Sequence, residues 1–375
     1  MIKNILIYTG LHRNSSIVEN LKMMGYCCVE HGEEFADEHN DAQFVMKLIY
    51  HMETEDIQLV ISSGYCPLLA TACEMRKIPY ASWICELPHD SLMSKTVLYQ
   101  HNYLFCFDRV YARWLSGLGC SHVFHFPLAV DVDALTKKDL ETEKVEDIPD
   151  ISYVGDFNSG ERRLVGTEGI PEYYRGYISG IEEAQIRVYG YNFVKEMTGN
   201  EIPQNILRKA VLQRGDLYFD NPVYAMADLI NQEITDRERK WVVEKLSERY
   251  RVHVYSESEY RGPVLFRDSR ININVTHRAV ESGIPQRVLD ILACGGFCIS
   301  NYQTEIAEYF EDGREIVMYT DMEDLIQKTD WFLRHDAERI AIARAGQNKV
   351  REAFSMKDRL ACLIRIIEED LEWKE

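Results

Sequence analysis

Apolar and polar positions alternate with two periods along the chain. Short apolar runs predict buried strands, and apolar residues three or four positions apart predict amphipathic helices. In the first part of the chain this pattern predicts strands at 5–8, 27–30, 59–62, 80–84, 103–107 and 122–126, and helices at 16–24, 42–52, 67–77 and 110–118. Strands that alternate with helices indicate parallel strands joined by crossover helices.

The pattern breaks at residues 131–150, which are charged, poor in aromatic residues and closed by Pro149, as is typical of a linker. A second alternating series follows. Its predicted strands are 151–154, 252–256, 271–275, 297–300 and 315–319, and its predicted helices are 322–333, 337–353 and 356–373. Residues 160–232 are predicted to be mainly helical, with 185–189 as a short strand or part of that region. A helix over 235–249 is expected to begin at a cap, Thr235 or Asp236.

These elements predict an α/β fold with two Rossmann-like, doubly wound domains that face each other across a cleft. Residues 1–132 would form the N-terminal domain, and 133–150 the linker. Residues 151–355 would form the C-terminal domain, which includes the helical region 160–232. The final helix, 356–375, could pack back on the N-terminal domain.

Composition narrows the class of protein. The chain has 375 residues, of which 46% are hydrophobic and 27% charged, as expected of a globular protein. No apolar run is long enough for a membrane span, and the apolar start of the chain is too short for a signal peptide. The formal net charge of −19 argues against nucleic acid or an anionic membrane as the main partner. A small anionic ligand remains compatible, because a helix N-terminus and a few cations can hold a phosphate.

The ten cysteines are scattered without a CxxC pair, which favours reduced thiols and a cytoplasmic location. Cys294 and Cys298 flank a Gly-Gly turn but have no histidines at ligand spacing, so no metal is expected there. The triplet 131–133, Asp-Val-Asp, resembles a metal-binding DxD, although acidic triplets are also common in linkers. These two motifs therefore favour no metal site.

Two loops of the second series are rich in polar groups, and ligands of open α/β sheets bind at such loops. Gly155 ends the first strand and is followed by Asn158, Arg162 and Arg163. The second loop runs from Thr276 through His277 and Arg278 to Arg287. Each loop could instead be an ordinary solvated exit from a strand.

The helix predicted at 285–294 raises a sharper question, because it is nearly all apolar and yet contains Arg287 and Asp290. A cation in the first turn of a helix is disfavoured by about 0.3–1 kcal/mol. One interpretation is that the two charges pair with each other, since they are three residues apart. The other is that Arg287 meets a phosphate and Asp290 accepts hydrogen bonds from a ribose.

Residues 273–325, which include Gly-Ile-Pro-Gln-Arg, Asp290 and Ala-Cys-Gly-Gly-Phe, resemble the C-terminal half of CgeB-like glycosyltransferases, a branch of the group 1 family. The stretches 79–88, 105–115, 126–131, 151–157 and 234–256 are similar to the same family. The resemblance implies a GT-B fold in which residues 1–132 form the acceptor-side domain and 151–355 the nucleotide-sugar-binding domain. It also implies a nucleotide-diphosphate sugar as co-substrate with no further cofactor, and transfer that is usually retaining and independent of metal. It implies that Gly155, Arg278 and Arg287 contact the diphosphate and Asp290 the ribose. The full set of donor-binding candidates is Gly155, Asn158, His277, Arg278, Glu281, Gly283, Arg287 and Asp290.

One position departs from the wider family, in which two glutamates are separated by seven residues. Asp290 stands at the second place, and Ser282 stands at the first, next to Glu281. Glu281 could take the first acidic role after a small adjustment of the loop.

In the first domain, Trp83, Glu86 and His89 follow a predicted strand and are candidates for contact with the acceptor or the sugar ring. Glu86 or His89 could act as a catalytic group, or both could only organise their loop.

The function predicted is sugar transfer from a nucleotide-diphosphate donor to a protein or glycan acceptor. The alternatives are a GT-B sugar-nucleotide epimerase and a non-catalytic surface-assembly protein that keeps the fold.

Overall fold

The computed structural model describes residues 2–11, 15–135, 148–155, 170–211, 221–256 and 264–372. The chain divides into two compact units. The first consists of Met1–Asp131 together with Phe354–Glu375, and the second of Val132–Ala353.

The first unit is built on a six-stranded parallel sheet in the order β2-β1-β3-β4-β5-β6. Its central strands are buried on both faces, as expected of a parallel sheet covered by helices. The strands are β1 (Asn4–Tyr8), β2 (Cys27–His31), β3 (Leu59–Ser63), β4 (Tyr80–Ile84), β5 (Asn102–Cys106) and β6 (His122–His125). The helices are α1 (Ser15–Met23), α2 (Ala42–Thr54), α3 (Pro67–Arg76) and α4 (Arg109–Gly117), with 3₁₀ turns at Asp90–Met93 and Lys95–Leu98.

The last helix of the chain, α14 (Met356–Glu372), belongs to this first unit. The hydroxyl of Tyr103 donates to Asp370 Oδ2 at 2.5 Å, and the backbone N–H of Ile2 donates to Glu368 Oε1 at 2.8 Å. The N–H of Val130 donates to the carbonyl of Phe354 at 2.9 Å. The chain therefore returns to its first unit after completing the second.

The second unit contains a five-stranded parallel sheet in the order β11-β10-β9-β7-β8. The strands are β7 (Ile151–Val154), β8 (Val252–Tyr255), β9 (Ile271–Asn274), β10 (Cys298–Asn301) and β11 (Val317–Tyr319). The helices are α5 (Glu172–Gln185), α6 (Val194–Glu201), α7 (Gln204–Val211), α8 (Pro222–Ser247), α9 (Val264–Asp268), α10 (Gln286–Ala293), α11 (Thr304–Tyr309), α12 (Met322–Arg334) and α13 (Asp336–Ala353). The prediction of two parallel-sheet, Rossmann-like α/β domains is confirmed.

The helices α5 to α8 form a layer with an apolar core of its own, which includes Ile178, Ile181, Leu207 and Ile230. A separate core, which includes Ile273 and Ile299, lies around the sheet. Of the region predicted to be helical, 160–169 and 212–220 lie outside the described residues.

The predicted start of a helix at Thr235 or Asp236 is wrong, because α8 begins at Pro222. Asn221 caps α8 by accepting a hydrogen bond from the N–H of Tyr224 at 3.2 Å, and proline at the first helical position needs no hydrogen-bond partner for its nitrogen. Thr235 lies inside the helix, where its hydroxyl donates to the carbonyl of Asn231 at 2.7 Å. Residues 185–189, left open between strand and helix, hold the end of α5 and no strand.

No described helix is both long and apolar enough to cross a lipid bilayer. All ten cysteines lie within the described part of the chain, and each is a free thiol.

Candidate functional site

The strand order of the second unit reverses between β7 and β9, and such a switch point is where open α/β sheets bind ligands. Gly155 follows β7 there with φ +153°, and its N–H donates to the carbonyl of Tyr255 at 2.9 Å. A Cβ at this position would lie 2.9 Å from the hydroxyl of Tyr153, so a larger residue would have to displace that side chain. Asn158, Arg162 and Arg163, predicted on the same loop, lie outside the described residues.

Four buried polar residues fix the carboxyl ends of β9 and β10. The amide of Asn274 donates to the hydroxyls of Thr276 at 3.0 Å and Ser300 at 2.9 Å. The N–H of Thr276 donates to Asn301 Oδ1 at 2.7 Å. Buried polar groups that satisfy one another in this way rigidify their surroundings, so the loop after β9 leaves the sheet in a defined direction.

Arg278 is buried, with 7% of its surface exposed, and is bonded within the protein. Its Nε donates to Glu238 Oε2 at 2.7 Å, and its terminal nitrogens donate to the carbonyls of Val188 at 2.7 Å and Ile186 at 3.2 Å. The guanidinium also lies 4.5 Å from the ring centroid of Tyr189. This geometry corrects the prediction that Arg278 contacts the donor's diphosphate, because its guanidinium instead joins the loop to the helical layer.

Both ring nitrogens of His277 are also hydrogen-bonded within the protein. Its Nδ1 accepts from the N–H of Ala279 at 3.0 Å, so the neutral ring carries its proton on Nε2, which donates to Gln232 Oε1 at 2.9 Å. Burial, with a smaller contribution from Arg239, lowers the pKa of His277 to about 3. The ring is therefore neutral near neutral pH and serves to hold the loop, which replaces the predicted role in donor binding.

We expect His277→Gln to weaken the dependence of stability on acid. The folded pKa of His277 lies below its usual value of 6.5, so the unfolded chain takes up a proton that the folded chain excludes, and stability falls as the pH drops below about 6.5. One proton corresponds to a slope of up to about 1.4 kcal/mol per pH unit. Melting temperatures measured between about pH 4 and pH 7 check how stability depends on pH. Replacing the exposed His253 by glutamine is the matched control, and an unchanged slope in His277→Gln would contradict the assignment.

The segment that leads into α10 is tied down at two further points. The amide of Gln303 donates to the carbonyl of Val280 at 3.0 Å. The hydroxyl of Ser282 donates to Glu305 Oε1 at 2.7 Å, and the N–H of Glu305 donates to the carbonyl of Ser282 at 3.0 Å. The loop therefore reaches the N-terminus of α10 in a preorganised conformation.

Glu305 was missed in the sequence, where it occupies one of several acidic positions near α11. It is fully buried and bonded to Ser282, which stands at the place where the wider family carries its first glutamate. A buried carboxylate thus comes to this position from the first turn of α11. Glu281, the predicted substitute, is half-buried, and Gly283 is buried beside it.

The helix α10 presents the two charges that the sequence singled out. Its apolar residues, Val288, Leu289, Ile291, Leu292 and Ala293, are buried, whereas Arg287 and Asp290 are half-buried. The guanidinium of Arg287 lies 5.9 Å from the ring centroid of Phe266, and Asp290 Oδ1 accepts from the amide of Gln286 at 2.9 Å. Pro285 at the N-cap makes no side-chain cap. A cation, a carboxylate and a helix N-terminus therefore lie together on one element, suited to an anionic ligand that carries hydroxyls.

In the first unit, His89 lies over the loop that follows β3. Its Nε2 accepts from the N–H of Tyr65 at 2.6 Å, so the neutral ring carries its proton on Nδ1. Gly64 has φ +88°, and a Cβ there would lie 3.0 Å from His89 Nε2. Glu86, the other predicted catalytic residue, is exposed on the same loop.

Among the described residues, no group of three or more His, Cys, Asp or Glu side chains is placed to hold a metal ion. Asp131 of the DxD-like triplet accepts a hydrogen bond from Asn20 at 2.8 Å.

Residues 237–365 match the protein family described as "Glycosyl transferase-like". The chain carries a glycosyltransferase-like domain. The matched segment includes the loop after β9, α10 and Glu305, which are the elements from which the site of the second unit is built. None of the curated proteins matches the sequence.

Solved structures with the same architecture cover almost the whole length of this chain. A glycosyltransferase from Rickettsia africae ESF-5 is 12% identical with a TM-score of 0.51, covering 99% of each chain. Sucrose-phosphate synthase from Thermosynechococcus elongatus is 12% identical with a TM-score of 0.55, covering 98% of this chain and 100% of that chain. Alr3699/HepE from Anabaena, in complex with UDP-glucose, is 9% identical with a TM-score of 0.52, covering 98% of this chain and 99% of that chain. At these identities the likeness establishes the fold, which is GT-B.

Proposed function

We propose that the protein transfers a sugar from a nucleotide-diphosphate donor to a protein or glycan acceptor. The observation that carries this proposal is that Arg287 and Asp290 both lie half-buried on α10, at the end of a loop fixed by buried hydrogen bonds. The match of residues 237–365 to a glycosyltransferase-like family supports it, as does the fold shared with a protein crystallised with UDP-glucose.

The chemistry of the leaving group assigns the roles in the second unit. Cleavage of the bond between sugar and diphosphate leaves negative charge on the β-phosphate. Arg287 and the N-terminus of α10 would stabilise that charge, and Gly155 would allow the backbone to approach the diphosphate. Asp290 would accept hydrogen bonds from the ribose. Because the diphosphate is a good leaving group, the transfer needs no strong general acid, and we propose that it proceeds without a bound metal or cofactor and with retention of anomeric configuration.

We assign the protein to the CgeB-like branch, on the residues of 273–325 that resemble it. In the first unit, we propose that the loop with Glu86 and His89 contacts the acceptor or the sugar ring. His89, whose Nε2 accepts from the N–H of Tyr65, is one candidate for a catalytic group in this loop. Glu86, which is exposed, is the candidate for a catalytic carboxylate.

If Asp290 accepts hydrogen bonds from the ribose, replacing it should remove recognition of the ribose hydroxyls. The unsubstituted protein should prefer a nucleoside diphosphate over its 2′,3′-dideoxy form by about tenfold or more, because hydrogen bonds to a charged group contribute about 1.5–3 kcal/mol. We expect Asp290→Ala to bind both forms equally in calorimetric titrations. Glu323→Ala, which removes an exposed carboxylate of the same unit, is the control and should keep the preference. A preference that persists in Asp290→Ala would move the ribose elsewhere.

Analysis of the reaction products tests the proposed reaction. The protein is incubated with a panel of uridine, guanosine, adenosine and thymidine diphosphate sugars, with and without glycan and peptide acceptors, and the products are identified by mass spectrometry. A sugar attached to an acceptor, with release of the nucleoside diphosphate, is the expected result. An isomerised or hydrolysed sugar from donor alone would indicate an epimerase instead. Binding of a donor without any product would indicate a non-catalytic protein that keeps the fold.

A further inference from the structure

The second unit contains a cavity of about 370 Å³ at the edge of its sheet opposite the switch point. The cavity is lined by residues of α9, α13 and the end of α10, together with Arg270 and Phe297, which directly precede β9 and β10. The loops of the donor site leave the carboxyl ends of these same strands. The cavity therefore lies at the amino ends of the strands and is separate from the donor site.

Four arginines line this cavity in a chain whose formal net charge is −19: Arg267, Arg270, Arg339 and Arg344. The first three have carboxylate partners that are not themselves lining residues. Arg267 Nε donates to Asp268 at 2.8 Å, Arg270 bonds Asp336 at 3.0 Å and Asp150 at 3.4 Å, and Arg339 bonds the same Asp336 at 2.5 Å. One exposed carboxylate, Asp336, is thus shared between two guanidinium groups, which lower its pKa.

Arg344 differs from the other three because it is exposed and has no ion-pair or hydrogen-bond partner among the residues that the structure describes. Arg339 is nine-tenths buried, and its guanidinium is held in place by the carbonyl of Phe332 at 3.1 Å. The cavity therefore combines a fixed cation in its wall with an unpaired cation at its opening. Clustered guanidinium groups of this kind match the oxygens of a phosphate.

Apart from Ser269 and Gln347, the other side chains of the wall are mainly apolar. Ile340 is 55% exposed although it lies on α13 between Arg339 and Arg344, and Phe297 and Ala343 line the same cavity. An inorganic anion would leave these side chains uncovered, whereas an apolar group next to the anion would remove them from water.

We propose that this cavity binds a small organic phosphate, whose phosphate group contacts Arg344 and the neighbouring arginines and whose apolar body packs on Ile340 and Phe297. The volume suits a molecule the size of a small metabolite, at the lower end of the usual range for ligand pockets. The same chemistry is found in soluble phosphate esters and in the headgroup region of a phospholipid.

Phenyl phosphate is the probe, because it carries a phosphate ester on an apolar ring. Calorimetric titrations of the whole chain compare phenyl phosphate with inorganic phosphate, and we expect the ester to bind more tightly. Arg344→Glu should lower the affinity for phenyl phosphate by at least about tenfold, since it replaces a charge-assisted hydrogen bond to the phosphate by a like charge. Arg344 makes no described contact, so this change should leave the fold intact, as the melting temperature would show.

Two matched variants distinguish binding in this cavity from other causes of a change in affinity. Arg351→Glu makes the same change of charge at an exposed position of α13 outside the cavity and should leave the affinity unaltered. Arg287→Ala alters the donor site and should also leave it unaltered, so the proposal can fail or succeed independently of the proposed function. Equal affinity in Arg344→Glu and the unsubstituted protein, loss of binding only in Arg287→Ala, or no binding of phenyl phosphate would each overturn the proposal.

Vesicles distinguish the source of the phosphate once the probe binds. Phosphatidylcholine vesicles containing phosphatidic acid are sedimented with the unsubstituted protein and with Arg344→Glu. Co-sedimentation that Arg344→Glu abolishes would support the cavity and assign it to a lipid headgroup. Binding of phenyl phosphate without co-sedimentation would support the cavity and assign it to a soluble ester, which the acidic chain favours.

Discussion

Arg287→Ala is expected to lower the affinity for a nucleoside diphosphate by at least about tenfold, the loss of one or two charge-assisted hydrogen bonds. The reason is the position of Arg287 in the first turn of α10, half-buried and next to the ring of Phe266. The helix dipole disfavours a cation in the first turn, and the charge of a bound diphosphate would offset that cost. Isothermal titration of the unsubstituted protein and the variant checks the loss.

Two further variants sharpen this prediction. Arg287→Lys keeps the charge but not the planar fork, so its affinity should be intermediate. Arg314→Ala removes an arginine whose side chain is 74% exposed and paired only three residues away with Glu311, and it should bind like the unsubstituted protein. If Arg287→Ala retains full affinity, Arg287 does not contact the diphosphate.

Arg278→Met is expected to lower the free energy of unfolding by about 3–5 kcal/mol, because it leaves the carboxylate of Glu238 buried without its partner. Glu238 is fully buried, and burial raises its pKa while Arg278 acts in the opposite direction. The variant also removes the hydrogen bonds from Arg278 to the carbonyls of Val188 and Ile186. Urea unfolding followed by circular dichroism measures the difference.

The double variant Arg278→Met/Glu238→Leu should recover part of the lost stability, since it removes both buried charges. Lys245→Met, which breaks an exposed ion pair with Glu248 in the same helix as Glu238, should change stability by less than about 1 kcal/mol. A variant Arg278→Met that kept its stability but lost nucleotide affinity would return Arg278 to the donor site and contradict its structural role.

The strands could be predicted from the sequence because each one is a short apolar run between polar turns. The strand predicted at 80–84 coincides with β4, and most others differ by one or two residues. The start of α8 could not be placed in the same way. The first half of α8 is helical because its apolar residues, which follow Pro222, pack against α6 and α7. Without that tertiary packing, only the charged second half of the helix, 235–249, could be recognised as helical in the sequence.

Some residues of the candidate site could be identified from the sequence and others could not. Arg287 and Asp290 could be singled out because a charge in an otherwise apolar helix is visible in the sequence itself. The partner of Arg278 could not, because Glu238 is 40 residues away and occupies one of many charged positions in α8. Glu305 and its bond to Ser282 were hidden for the same reason. Long-range polar pairs leave no local pattern, so sequence alone identified polar residues but not which of them face a ligand.

In the proposed function, α10 and the loop before it bind the diphosphate of a nucleotide sugar. Thermal unfolding of the unsubstituted protein and Arg287→Ala, each with uridine, guanosine, adenosine or thymidine diphosphate, tests this binding. We expect at least one of the four to raise the melting temperature of the unsubstituted protein, and Arg287→Ala to lose most of this increase. No increase with any of the four, or the same increase in both proteins, would contradict it.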